Sequence, residues 1–171
     1  MNVRSIATVI AIGVTLFVPS AQANTLQISD AQTLQSLRQK LYTVNADVTQ
    51  AMNQILEVKN LPIFNCLALI HDQGQEVGTT GAAVGDLIAL AVLMKDNDDE
   101  LLVLRALRTW LTVLSNELPH AREVINGAMA TCSVSATVNV KGQALLNGLS
   151  EWSNPVASLS TRVNQVVLPK R

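Results

Sequence analysis

The feature that most constrains this chain is a run of apolar residues spaced alternately by three and four: Leu34, Leu37, Leu41, Val44, Val48, Ala51, Ile55 and Val58. A half-buried strand places apolar residues at every second position, whereas this spacing is the seam of an amphipathic helix. It predicts one helix of about 30 residues, roughly 45 Å long at 1.5 Å per residue. A rod with one oily edge cannot bury that edge alone, so it demands partner helices. Ser29-Asp30-Ala31-Gln32 fits a capping box in front of the seam. Pro62, with Asn60 just before it, ends the helix.

The rhythm returns in Leu67, Ile70, Gly74, Val77, Gly81, Val84, Ile88 and Ala91, opposite a polar stripe through Asp72, Gln75, Thr79 and Asp86. It predicts a helix from about Ile63 to Lys95. A break near Gly78–Gly81 is the alternative, because each interior glycine costs about 1 kcal/mol relative to alanine. Lys95-Asp96-Asn97-Asp98-Asp99-Glu100 is a polar turn whose carboxylates lie where a helix N-terminus attracts negative charge. A third helix follows with Leu104, Leu107, Leu111, Leu114 and Leu118 on its seam and Val103, Ala106, Trp110 and Val113 beside it. Pro119 should break or kink it, and Ala121, Val124, Ile125, Ala128 and Cys132 carry the face onward.

Ser133–Val140 alternates as a strand would, through Val134, Ala136, Val138 and Val140. No partner strand exists elsewhere, so a loop or a poorly formed first turn is expected. From Lys141 the helical rhythm resumes in Leu145, Leu149, Trp152, Val156, Leu159, Val163 and Val166, with a kink expected at Pro155. Four long amphipathic segments with short connections predict an all-α fold, an up-down-up-down four-helix bundle. The length suits one core, so residues 24–171 are read as a single helical-bundle domain.

The first residues have a different character. Met1–Arg4 carries one positive charge, Ile6–Val18 is an apolar run, and Pro19-Ser20-Ala21-Gln22-Ala23 supplies small residues where a signal peptidase reads them. The pattern predicts a cleavable bacterial-type signal peptide over residues 1–23, cut before Asn24, and hence a periplasmic or secreted protein. The apolar run would make about 20 Å of helix, short of a bilayer core of about 30 Å. No later membrane span is expected. Ala82–Met94 is short and contains Asp86, and Leu101–Leu114 contains Arg105 and Arg108.

Export gives the two cysteines meaning. An even count in an oxidising compartment favours a disulfide. If the second and third helices form a hairpin turning near Asn97 and Asp98, position 66 lies across from about position 130. Cys66 and Cys132 are therefore expected to bond, closing a loop worth about 4 kcal/mol in the chain-entropy account.

Each candidate catalytic or cofactor motif has a simpler explanation. Glu117-x-x-His120 has the spacing of di-iron bundles but occurs once, around Pro119, where those sites need two such motifs and two further glutamates. Haem would need His71 or His120 with a methionine such as Met52, Met94 or Met129. Asp96, Asp98 and Glu100 alternate like a calcium loop, yet Leu101 stands where the required glycine belongs. Gly78-Thr79-Thr80-Gly81 lacks the Lys of a phosphate loop. His71 and Asp72, being adjacent on a helix, are expected to point apart. A net charge of −1 without a basic cluster gives no nucleic-acid footprint. The expectation is a protein that is not an enzyme, with no cofactor and no metal.

Two features remain. Gly74, Gly78, Gly81 and Gly85 form one bare helical stripe, suited to close packing. Leu87, Leu90, Leu93, Met94, Leu101 and Leu102 make the tip of the central hairpin apolar beyond what a bundle buries, as an interaction surface does. The functional expectation is a non-enzymatic exported protein acting by protein–protein interaction: an immunity-type inhibitor, a holdase chaperone or an accessory subunit of an envelope system. Its partner would be another envelope or secreted protein, or a second copy. The alternative is a periplasmic carrier of an apolar small molecule or haem held between helices.

Overall fold

A computed structural model describes residues 25–95 and 98–167. The leader and its cleavage point lie outside the described residues, as do Asp96 and Asn97 of the acidic turn. The described residues form five α-helices and no strand: α1 (Ile28–Glu57), α2 (Leu61–Leu93), α3 (Glu100–Thr131), α4 (Ala136–Ser150) and α5 (Ser153–Val167).

The all-α expectation holds, and cross-helix contacts give the topology. Between α1 and α2, the Asn45 side-chain amide donates to the His71 carbonyl at 3.0 Å, and Gly85 faces Ala31. Between α2 and α3, Cys66 bonds Cys132 and the Thr80 hydroxyl donates to Glu117 at 3.0 Å. Between α3 and the last segment, the Arg122 guanidinium donates to the Leu149 carbonyl and the Ser153 hydroxyl, and Met129 lies against Gly142. The circuit closes between that segment and α1 through Lys141–Asp47, Lys40–Glu151 and the bidentate Arg162–Asp30 pair at 2.7 and 2.9 Å. In every pair, higher numbers on one helix meet lower numbers on the next. The helices therefore run antiparallel around one core.

The core follows the seams read from the sequence, with one substitution. Leu34, Leu37, Leu41, Val48 and Ala51 are buried on α1, but Asn45 is buried in preference to Val44. Its amide bond to α2 and the absence of a side chain at Gly74, against which it lies, make that possible. Val58 lies beyond the end of α1 and is exposed.

Several boundaries differ from the sequence expectation, each for a local reason. α1 begins at Ile28, and the reciprocal cap joins Gln27 to Asp30: the Gln27 N–H donates to the Asp30 carboxylate at 2.8 Å. The Ser29/Gln32 pair has the same spacing but sits inside the helix. Lys59 takes a left-handed φ of 55° after α1, and Asn60 then caps α2 through the Ile63 N–H. Pro62 thus opens α2, in a first turn where its missing N–H costs nothing, rather than merely ending α1. α2 is continuous through all four glycines, and α3 runs on through Pro119.

Residues 136–140 are the first turn of α4 rather than a loop. The Ser135 hydroxyl accepts the Val138 N–H, and of the alternating valines Val138 alone is buried while Val134 and Val140 are exposed. The last rod is divided rather than kinked. It turns at Glu151 and Trp152, and Pro155 falls in the first turn of α5. This division inserts the fully buried Trp152 into the core against Gly81.

Because α2 does not break, it is longer than the segment judged for membrane crossing. Its 33 residues include an 18-residue window of mean hydropathy 1.5, long and apolar enough to cross a bilayer. In this fold the helix packs against α1, α3 and α4.

Candidate interaction surface

The glycine stripe is filled along most of its length. Asn45 lies against Gly74, Tyr42 against Gly78 and the Trp152 ring against Gly81. Gly85 is different: the nearest atoms to a Cβ there would be the Ala31 carbonyl oxygen at 3.9 Å and Leu34 Cβ at 4.0 Å. The stripe therefore opens at its end into a shallow α1–α2 groove of 350 Å³. Ala31, Ala82, Gly85 and Ala89 floor it, and Gln35, Arg38 and Asp86 stand around it.

The predicted contact residues divide into two groups. Leu87 and Met94 are partly buried against the core, while Leu93, Leu102, Leu101 and Leu90 are 81, 67, 44 and 42% exposed. Helical geometry says which of them act together. Glu76 and Thr80 of α2 meet Glu117 of α3, which marks one side of the hairpin. Continuing on α2 in steps of three and four gives Ala83, Leu87, Leu90 and Met94. Stepping back from Glu117 on α3 gives Val113, Trp110, Ala106 and Leu102. The register set by Cys66–Cys132 and Thr80–Glu117 puts Leu87 level with Trp110.

Eight apolar residues thus share one side of the hairpin. Leu93 points outward at the tip, and Leu101 turns toward α5. Trp110 and Val113, 41 and 37% exposed, belong to this surface although the sequence reading placed them beside the α3 seam. The signal was present in their spacing, since they continue the step from Leu102 and Ala106.

Carboxylates mark both ends of the face. Glu76 and Glu117 close one end and Asp98 lies at the turn, while Asp86 borders the α1–α2 groove and Glu100 lines the tip cleft with Lys95. The Glu117 carboxyl is pushed above its ordinary range chiefly by burial; the Thr80 hydroxyl bond opposes the shift and the nearby Glu76 charge adds to it. A second cleft, of 150 Å³, opens at the same end of the bundle between Thr25, Leu26, Val92, Lys95, Leu104 and Val166.

The remaining motifs fall as follows. Glu117 bonds Thr80, while His120, three residues on, is exposed. Among the described residues no cluster of three or more His, Cys, Asp or Glu is placed to hold a metal ion. His71 Nδ1 comes within 3.3 Å of Asp72 Oδ1, so these neighbours do meet, contrary to the expectation that they point apart. The side chains bend toward each other at the surface, where Asp72 is well exposed. His71 and His120 line neither the α1–α2 groove nor the tip cleft.

Fold and surface together define a disulfide-tied antiparallel helical bundle with one hairpin face left open. Compared with protein-family models, curated proteins and solved structures, the chain gives no significant match.

Proposed function

We propose that this chain is an exported, non-enzymatic protein that works by binding another protein through the α2–α3 face and its tip. Leader pattern and disulfide support export to the periplasm or beyond. The observation that carries the binding reading is the exposure of Leu90 and Leu102 on the same side of the hairpin as Trp110 and Val113, with Leu93 and Leu101 exposed around the tip. Apolar side chains grouped this way and rimmed by charge are what a protein interface requires. An immunity-type inhibitor, a holdase or an accessory envelope subunit would each use such a face.

The test is the pair Leu90→Asp and Leu102→Asp. Leu102 is 67% and Leu90 42% exposed, so stability should fall by less than about 1 kcal/mol at Leu102 and by about 1–2 kcal/mol at Leu90, and far-UV circular dichroism should stay helical. Partner capture from envelope extract, or self-association, should be lost. Unfolding of these variants would return the residues to the core and remove the reading.

The α1–α2 groove at Gly85 supports a second reading, a carrier of an apolar small molecule. Native mass spectrometry of the purified protein decides it, since a carrier should retain ligand mass. A Soret band would be needed for the haem version.

A further inference from the structure

The geometry points to a proton-operated clasp midway along the α2–α3 hairpin: with Glu117 protonated, Thr80 and Glu76 hold it and the outer half of the hairpin stays closed; with Glu117 ionised, that half opens more readily. The clasp acts within the hairpin and does not depend on what binds its outer face.

Three side chains make it. Thr80 on α2 is 6% exposed, and its hydroxyl donates to Glu117 Oε1 on α3 at 3.0 Å. Glu117 Oε2 is enclosed and has no hydrogen-bond partner in the protein. Glu76, exposed one turn before Thr80, stands on the same side of α2. The other charges are engaged elsewhere or lie farther off. α4 and α5 carry one cation each, Lys141 and Arg162, and these hold Asp47 and Asp30. Lys40 of α1 holds Glu151, and His71 of α2 meets Asp72. On α3, Arg122 is turned to the Leu149 carbonyl and Ser153, and His120 is exposed. Arg108, about 14 Å along α3 from Glu117, lies against Ser160 and Asn164 of α5. Among the described residues Glu117 has no ion pair.

An ionised carboxylate placed this way has one oxygen bonded and the other shut away from any donor, with a second negative charge nearby. An enclosed charged acceptor without a partner is costly. Protonation removes that charge. The Thr80 bond to Oε1 remains, and the new O–H on Oε2 has the Glu76 carboxylate, on a long exposed side chain, as its acceptor. The proton comes from solvent and no other bond changes.

Burial is the main reason that the closed hairpin holds the Glu117 carboxyl above its ordinary range; the Thr80 bond opposes the shift and Glu76 adds to it. With the hairpin open, the same carboxyl stands in water and titrates as carboxyls ordinarily do. Closure therefore takes up a proton. Opening is least below the ordinary carboxylate value, grows as pH rises from there to the raised one, and is constant above it. The two helices stay joined at the base, because Cys66–Cys132 ties them about 21 Å from Thr80. What opens is the stretch from Thr80 and Glu117 to the tip, baring the buried Val84, Ile88, Leu104 and Leu107. Short helical stretches stripped of their packing are marginal in water, so parting and local unfolding go together.

The test uses the purified, disulfide-bonded protein between about pH 3.5 and 7.5, a span that brackets carboxyl titration. Side-chain NMR follows the Glu117 carboxyl. Native-state hydrogen exchange, corrected for intrinsic rates, follows the amides of 81–93 and 100–116. The carboxyl should titrate above the ordinary range. Protection in the outer half should fall across the same window, about tenfold for each pH unit by which the midpoint is displaced, while amides beside the disulfide keep theirs. Glu117→Gln retains an acceptor for Thr80 and should flatten the dependence at the protected level. Glu76→Gln should lower the midpoint and shrink the fall with it; Thr80→Val, the same shape without the hydroxyl, should raise it.

A Glu117 midpoint in the ordinary range overturns the inference. So does a fall in protection that Glu117→Gln leaves in place, or one shared equally throughout the bundle, which belongs to global unfolding. None of these results touches the binding function, which Leu90→Asp and Leu102→Asp test separately.

Discussion

Replacing each glycine of α2 by alanine should reverse sign along a single stripe. Two terms compete at every position. Alanine gains up to about 1 kcal/mol in helix propensity over glycine. Against that stands whatever the new methyl meets. At Gly81 it would overlap the Cη2–Cζ3 edge of the Trp152 ring, and the ring is fully buried with nowhere to retreat. Overpacking of this kind costs about 1–3 kcal/mol, so Gly81→Ala should lose about 1 kcal/mol net. At Gly85 the nearest atoms are at ordinary contact distance, 3.9 and 4.0 Å, and the propensity gain is kept whole. Gly85→Ala should therefore gain somewhat under 1 kcal/mol. In a domain of this size each kcal/mol moves Tm by about 2–4 °C, so the two variants should separate by roughly 4–8 °C in thermal melts followed at 222 nm. Gly142→Ala falls between them: its methyl would press on Met129 at Cγ and Sδ, with Ile70 also near, so the unbranched Met129 must change rotamer and Tm should lie between those of the other two variants. If Gly81→Ala melts with or above Gly85→Ala, Trp152 does not seat against α2 and the division of the last rod has been misread.

The other predictions are shorter. Reducing Cys66–Cys132, or replacing both cysteines by alanine, should cost about 4 kcal/mol in the chain-entropy account, seen as a Tm loss with dithiothreitol that the Cys-free variant no longer shows. Burial holds the Glu117 carboxyl above its ordinary range, so the folded state favours the protonated form. The resulting penalty is absent below the ordinary carboxylate pKa, grows as pH rises from that value toward the raised folded one, and is complete above it. Glu117→Gln should thus raise Tm by about 1–3 °C at neutral pH and by little near pH 4; an equal gain at both would refute the cause.

What could be read from the sequence was whatever depended on period. The Leu34–Ala51 seam, the α3 seam and the Cys66–Cys132 pairing all follow from counting, because a 3.5-residue step and a hairpin register are one-dimensional facts. The misread boundaries depend on competition between neighbours with the same local credentials. Gln27/Asp30 and Ser29/Gln32 both offer a cap spacing, and which one wins is set by Arg162, reaching over from α5 to hold Asp30. Ser133–Val140 alternates like a strand, but the Ser135 cap and the burial of Val138 settle it as helix. The Trp152–Gly81 contact joins residues 71 positions apart, and no pattern in either segment announces the other. Trp110 and Val113 lie beside the core seam in the sequence, and spacing gives a face but not which neighbour covers it.

That last point bears on function. The most apolar window of α2 has a hydropathy sufficient for a membrane, yet only 39% of that window is buried within the bundle. Part of the surplus lies on Leu90 and on the exposed parts of Ala83, Leu87 and Met94, the last two of which also pack against the core. Burying their exposed parts against a further helix would contribute roughly 25 cal/mol per Å², so leaving them open forgoes a few kcal/mol of stability that a partner can supply. The hairpin tolerates this because its base is closed independently. The Cys66–Cys132 bond joins α2 and α3 about 40 Å from the tip, taking the rise along α2 from residue 66 to residue 93, and Thr80–Glu117 holds them midway. Contacts at the open end can then form and break without the two helices parting, and a binding face can be altered without loss of the fold that presents it.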